Sequence, residues 1–516
     1  MLDNGSRNNP ARKTKLIRAL RFDWYSSVTG GVLYDKALEY AEKHLATLPS
    51  TRGVKPEKRQ QLIHYFFIQL FSAFYSAHYQ LPKGDGSVKV PLGNDGYTSS
   101  LQKYPNRVLG SAGYVQGSVQ FLEDNKLVEV DKGNEAKGYS TIRPINTLSL
   151  FIDSLGLRWM PRHPLPAEQT IIVRDREQIG STNKKIRYRK FAIPVPETED
   201  IKTQQQMIYE VNCCLQQHCF SLNISDQQLP QLAEEISEKA LAKAKDNKQW
   251  DTEEDQVGFL DFSRTQIKRI YARGDTKLGG RFYHGWWQHV PSHVRQHIEI
   301  DGLKTVEIDF SGMSLRLLYA KEKLSLPLDT DVYDLGFSDW QGSNDPRRKV
   351  IKKFVNAAFN DEHEVYRVPP KDLKILGLKS QEDLRMMFYK KHEAVNIGEQ
   401  IKSGWGLKSQ YLDSKIALRV MHTFALEDIP VLPVHDSFVI RLGFQHDLQE
   451  MMLQAFEEEV SGLTKTDTTF SKPSEGFGDD DFILESRIID ASEVYDAVMQ
   501  PMSLMDNYLG YWKQYT

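Results

Sequence analysis

The stretch from Thr305 to Ala320 constrains this chain more than any other. Its first half alternates. Val306, Ile308 and Phe310 share one face and Thr305, Glu307 and Asp309 the other, which is the pattern of a strand with one buried side. After Ser311-Gly312 the residues turn apolar and helix-forming. Asp309 therefore ends a strand just before a turn into a helix. A carboxylate at such a point is held firmly yet open to ligand, which suits a Mg²⁺ ligand.

A second stretch answers the first. Val431 to Leu442 reads as strand, tight turn, strand, with His435-Asp436 at the turn and Phe438, Ile440 and Leu442 keeping period two beyond it. Two carboxylates brought together from two strand ends can hold two divalent cations, and such a pair stabilises the attacking and leaving oxygens of a phosphoryl transfer.

At 516 residues the chain has room for two to four domains with ample core. Its net charge of −3 means that any nucleic-acid surface must be local. No apolar run reaches membrane-spanning length. Three cysteines, Cys213, Cys214 and Cys219, are too few for a disulfide framework and point to a reducing, cytoplasmic setting. A metal cluster with His218 would need a second ligand pair, and none lies nearby in sequence, so buried thiols on one helix are the expectation.

Residues 1–24 are basic, a phosphate-binding arm or a solvated terminus. Residues 30–80 carry helical periodicity rich in aromatics, expected as core. From Ser111 a helix, then the strands Leu127–Val130 and Tyr139–Arg143, make the pattern of a winged helix, a module that serves protein as well as nucleic-acid binding. A hairpin is expected over 168–195 and helices over 200–250. Residues 264–297 hold seven Lys or Arg against one acid, Asp275, with Tyr271, Phe282, Tyr283, Trp286 and Trp287 interleaved. Cations track a phosphate backbone and aromatics stack bases; alone, the pattern would equally fit a Trp-rich core edge. Asp345 to Asn360 reads as an amphipathic helix with Pro346 in its first turn. Arg348, Lys352 and Asn356 share a face there, a ridge suited to a nucleotide triphosphate; alone, the pattern fits an ordinary basic surface helix.

Taken in order, these segments resemble the family A (DNA polymerase I-like) polymerases. Asp309-Phe-Ser resembles motif A, and His435-Asp436 resembles motif C. Arg348 with Lys352 resembles the Arg-x3-Lys helix of motif B. Gly279-Gly-Arg-Phe with Gln288-His-Val-Pro291 resembles the segment that lies along the primer–template. His-Asp-Ser at the second carboxylate also resembles single-subunit phage RNA polymerases. The chain departs from the family at Asn356, where an aromatic is usual, and at Asn360-Asp361, where Tyr-Gly is usual.

The resemblance implies an α+β fold: a right-hand polymerase with an antiparallel-sheet palm and helical fingers, preceded by a mostly helical N-terminal region with a candidate winged helix. The division expected is 1–165 for that region, 166–260 for a thumb-like or connecting region, 261–464 for palm and reduced fingers, and 465–516 for an acidic linker and a segment packing back. It implies Asp309 and Asp436 as ligands of Mg²⁺ or Mn²⁺, and Arg348 and Lys352 on the triphosphate. His435 would position the turn, and Arg281 and Gln288 would contact primer–template DNA or RNA. Ser314 stands where the family has the Glu that blocks a ribose 2′-hydroxyl, so weak discrimination between ribo- and deoxyribonucleotides is expected. The implied role is replication or priming for a phage or mobile element. The rivals are a catalytically degenerate palm acting as a nucleic-acid-binding factor, which the altered motif B favours, and a nuclease using the same carboxylates.

Overall fold

The computed structural model describes residues 20–21, 27–49, 55–81, 86–90, 92, 112–132, 140–156, 159–182, 185–225, 227–246, 260–324, 326, 330–360, 367–464 and 484–486. The basic arm before residue 20, the acidic stretch Gly478–Asp481 and the aromatic segment from Ala491 onward lie outside them. No helix among the described residues is long and apolar enough to cross a membrane. The architecture is mixed α/β, with three sheets built mainly from antiparallel pairs.

The N-terminal part comprises β1 (Leu20–Arg21), α1 (Val32–Thr47), α2 (Pro56–His78), β2 (Val88–Val90) and α3 (Ala112–Asp124). It continues with β3 (Val128–Asp131), β4 (Ser140–Pro144) and α4 (Asn146–Leu155). Pro56 opens α2, where its missing N–H costs nothing. Phe66, Phe67, Phe71 and Phe74 of that helix are wholly buried, and tilted or edge-on ring contacts join them to Tyr40, His44 and Phe121. The aromatic periodicity of 30–80 is thus core. Helix α3 leads into the β3–β4 hairpin, and β2 adds to β4, giving the order β1-β2-β4-β3.

Next come β5 (Ile171–Thr182), β6 (Lys185–Ile193), α5 (Glu199–Gln217), β7 (Phe220–Leu222) and α6 (Gln228–Asp246). After residue 260 follow β8 (Lys268–Ala272), β9 (Asp275–Tyr283), α7 (Ser292–Arg295), β10 (Ile298–Ile300), β11 (Leu303–Phe310) and α8 (Met313–Lys321). The chain then forms α9 (Pro346–Asn360), α10 (Pro370–Leu376), α11 (Gln381–Lys391) and α12 (Ile397–Lys402). It continues through α13 (Trp405–Leu426), β12 (Leu432–Val434), β13 (Ser437–Arg441), α14 (Gln445–Thr464) and β14 (Leu484–Ser486). The hairpin β5–β6 shares a sheet with β8 and β9, in the order β6-β5-β8-β9, so one sheet spans the expected boundary at 260.

The sheet that matters most runs β12-β13-β11-β10-β7, all antiparallel, with β14 also on β11. Val306, Ile308 and Phe310 are buried on one face of β11, where the Phe310 ring meets Phe456 of α14 at 6.1 Å. Phe438, Val439 and Ile440 are all buried on β13, a central strand between β12 and β11.

Candidate active site

The register of β11 on β13 pairs Asp309 with Ser437, the residue after Asp436. The Phe310 N–H reaches the Asp436 carbonyl at 3.4 Å. Two carboxylates far apart in sequence thus stand at the same end of two adjacent strands, each half-buried. They are hard oxygen donors of the kind Mg²⁺ or Mn²⁺ takes. His435 and Asp436 form a two-residue turn, with Val434 and Ser437 paired across it. His435 has φ 63°, at a hairpin position usually given to glycine. Its exposed ring lies edge-on to Tyr283, centroids 6.0 Å apart.

Side chains behind the strands fix this arrangement. Glu307, two residues before Asp309 on the same face, takes both Arg295 Nε at 2.9 Å and Nη2 at 2.6 Å. Ser437 Oγ donates to Glu307 Oε1 at 2.7 Å. Gln288 Nε2 donates to the carbonyls of Phe282 and Pro433, both at 3.0 Å, and Trp287 Nε1 donates to the same Pro433 carbonyl. The amide donors of Gln288, expected on nucleic acid, are therefore spent on bracing β12.

Arg281 reaches the site through a bulge. Gly279 and Gly280 have φ of 74° and 80°, and the β8–β9 register slips beside them. A Cβ on Gly280 would stand 2.8 Å from the Tyr271 ring and 2.9 Å from Ser414 Oγ, so only glycine lets β9 lie this close to α13. Buried Arg269 clamps the same point, donating to Gly280 O, Gln204 Oε1 and Ser414 Oγ. Beyond the bulge, Arg281 Nε donates to Asp413 Oδ2 of α13 at 3.1 Å. Burial pushes the Asp413 carboxyl up to about 7, against the pull of Arg281 and with a further push from Asp436. Burial also works against the Arg281 charge, yet Asp413 and then Asp436 raise its pKa.

The third wall is the loop before α9. Arg348 Nε meets Asp331 Oδ2 at 3.3 Å, its Nη2 donates to Ser311 Oγ at 3.2 Å, and its guanidinium lies over the Tyr333 ring at 5.1 Å. Tyr333 has its hydroxyl pKa raised, first by burial, then by Asp436, Asp309 and Asp331, with Arg348 opposing. That one buried phenol lies in the field of both expected metal ligands. The loop is pinned from below by His392, whose Nε2 lies 3.0 Å from Val332 O and whose Nδ1 lies 3.0 Å from Tyr319 Oη. Because Val332 O can only accept, Nε2 carries the proton and Nδ1 accepts from the tyrosine.

The remaining expected residues divide. Ser314, in the first turn of α8, has Oγ 2.9 Å from Ser409 Oγ of α13. Lys352 is half-buried, with no ion pair among the described residues; Asn356 is exposed, and its carbonyl accepts from Asn360 Nδ2 at 2.8 Å. Sequence reasoning passed over Asp331, Tyr333 and Asp413. The first two sit in an aperiodic loop with no readable partner. Asp413 was legible in principle, as an acid among Leu412, Ile416 and Ala417 on the buried face of a helix.

Fold and site together define a mixed α/β protein whose antiparallel sheet carries two carboxylates at adjacent strand ends, walled by two arginines and a buried tyrosine. No protein-family model matches the chain, and no curated protein matches it.

Proposed function

We propose that the protein is a template-directed nucleotidyltransferase, extending a DNA or RNA primer with nucleoside triphosphates. The observation that supports this best is the β11–β13 register, which sets Asp309 beside the residue that follows Asp436. Divalent cations bound there would supply charge neutralisation and a more acidic primer 3′-hydroxyl. Asp309 and Asp436 are their ligands. Arg348 and Lys352 bind the triphosphate, with Arg348 leaving Asp331 as it does so. His435, exposed at the turn and backed by Tyr283, orients the primer end, and Arg281 gives β9 a cation facing Asp436. Ser314 leaves room for a ribose 2′-hydroxyl. The N-terminal helix–hairpin unit, read as a winged helix, binds template or a replication partner.

A gel extension assay tests this. Purified protein with Mg²⁺ or Mn²⁺ is given DNA and RNA primer–templates and dNTPs or NTPs separately, beside Asp436→Ala. Extension that vanishes in the variant supports the reading. Template binding without product in any combination would make this a degenerate-palm binding protein. Shortened substrate, lost in the variant, would make it a nuclease.

A further inference from the structure

A second cluster of ligand-type side chains lies at the opposite end of the same sheet. Cys214 is near the C-terminal end of α5, and His218 follows four residues later, just past the helix end. Asp428 comes from the turn between α13 and β12, with φ 57°. One donor atom from each of the three lies within 4.8 Å of the others. A fourth residue prepares them. Asp301, in the β10–β11 turn, has Oδ2 2.7 Å from His218 Nδ1, while its Oδ1 accepts the Cys219 N–H at 2.9 Å. The Asp301 N–H donates back to Cys219 O at 2.7 Å, so this carboxylate cannot swing away. With a cation on Nε2, the carboxylate on Nδ1 would hold the imidazole proton and fix the ring's orientation. Nε2 faces Asp428 Oδ1 at 3.4 Å.

We propose that Cys214, His218 and Asp428 form a binding site for a Zn²⁺-class transition metal, with Asp301 as the orienting residue behind the histidine. The donor set decides the class. One sulfur, one imidazole nitrogen and one carboxylate oxygen suit a borderline ion in tetrahedral geometry, whereas Mg²⁺ takes oxygen alone. On binding, the Cys214 thiol gives its proton to solvent and the thiolate bonds to the metal, while the imidazole binds through its Nε2 lone pair. Asp428 is largely exposed and Cys214 buried, so the ion enters from the solvent side and a water completes its shell. Location gives the site its purpose. It fastens the end of α5 to the turn that leads into β12, beside the turn that leads into β11. Those two strands carry the carboxylates of the candidate active site at their other ends. The metal is a clasp that sets the strands' relative position, and its existence does not depend on the activity proposed above.

The test uses the full chain, stripped with a chelator and titrated with Co²⁺ as a spectroscopic probe. The expected result is one equivalent bound, with a thiolate-to-cobalt charge-transfer band in the near ultraviolet and the intense visible bands of tetrahedral cobalt. Zn²⁺ should abolish these bands and excess Mg²⁺ should leave them. Cys214→Ser should lose the charge-transfer band, and Cys213→Ser, one residue away on the same helix, should keep it. Asp428→Ala, an exposed change that leaves the core untouched, should weaken binding by about 10-fold or more, and Asp301→Asn by about 10–100-fold. Absence of the band in the parent protein, or its survival in Cys214→Ser, would overturn the proposal. So would Asp428→Ala binding cobalt as tightly as the parent.

Discussion

Two buried titratable groups next to the candidate site should pull stability in opposite directions across the same pH range. Burial drives His392 down from 6.5 to about 4 in the folded chain. Between those values the unfolded chain holds more protons at this residue than the folded one, so His392 makes stability rise with pH. Burial drives Asp413 up from 3.8 to about 7. There the folded chain holds the extra proton, so Asp413 makes stability fall as pH rises. A full proton of difference is worth about 1.36 kcal/mol per pH unit. Near pH ~5.3 both groups approach that limit with opposite signs, and they nearly cancel. The variants separate them. His392→Gln keeps a donor for Val332 O but cannot titrate, so relative to the parent its stability should fall by about 1 kcal/mol for each unit of rising pH. Asp413→Asn keeps an acceptor for Arg281, and relative to the parent its stability should rise by a similar amount. Urea unfolding at several pH values between about 4.8 and 6.3, with the m-value checked for constancy, measures both slopes. Curves for either variant that run parallel to the parent would refute the burial argument for that residue.

Asp331→Asn removes the charge partner of Arg348 while keeping an acceptor for the Tyr333 N–H. If Arg348 is drawn from Asp331 to a triphosphate, the KM for nucleotide should fall about 2–5-fold, the worth of one partly buried pair at ~0.5–1 kcal/mol. An unchanged KM beside a raised one in Arg348→Ala would show that the two do not compete. Gly280→Ala should cost about 2 kcal/mol or more in urea unfolding, since its Cβ meets Tyr271 and Ser414, whereas Gly336→Ala, with φ 93° and open space, should cost about 1. Equal losses would mean that β9 does not need its close approach to α13. Ser314→Glu should raise the preference for dNTP over NTP by about tenfold or more, ~1.4 kcal/mol of steric exclusion, read as the ratio of kcat/KM values. A parent enzyme already as selective as the variant would sink the argument from Ser314.

What could be read from the sequence was what is local. The alternation of Thr305–Phe310 gave β11, the Ser311-Gly312 step gave the turn, and Pro346 marked the start of α9. Each is fixed by residues a few positions apart. Gly312 also has a cause no local pattern contains: its φ is 66°, and a Cβ there would collide with Val332 of the loop. Register was not legible. Nothing within Val431–Leu442 says that Ser437 pairs with Asp309, since that follows from which strands become neighbours. Gly279-Gly280 was visible as a motif, but its reason lies in α13, far along the chain. The cysteines illustrate the same limit. Cys214 and His218 stood out together, yet Asp428 and Asp301, the residues that complete and orient the cluster, are remote in sequence and sit at ordinary turns.

Burial first, and then Asp436, Asp309 and Asp331, raise the Tyr333 hydroxyl pKa, with Arg348 opposing. The field of three carboxylates so placed would repel a triphosphate approaching them without cations. Two features offset that field without closing the site. Arg348 is held by Asp331 and Ser311 beside the helix ridge, so its guanidinium is already oriented. Lys352, a turn further on, has no such partner among the described residues and offers its charge at no exchange cost. The two cations of one helix face are therefore held differently. On the proposed reading, Lys352 would attract the triphosphate, and Arg348, aligned over Tyr333, would test its fit.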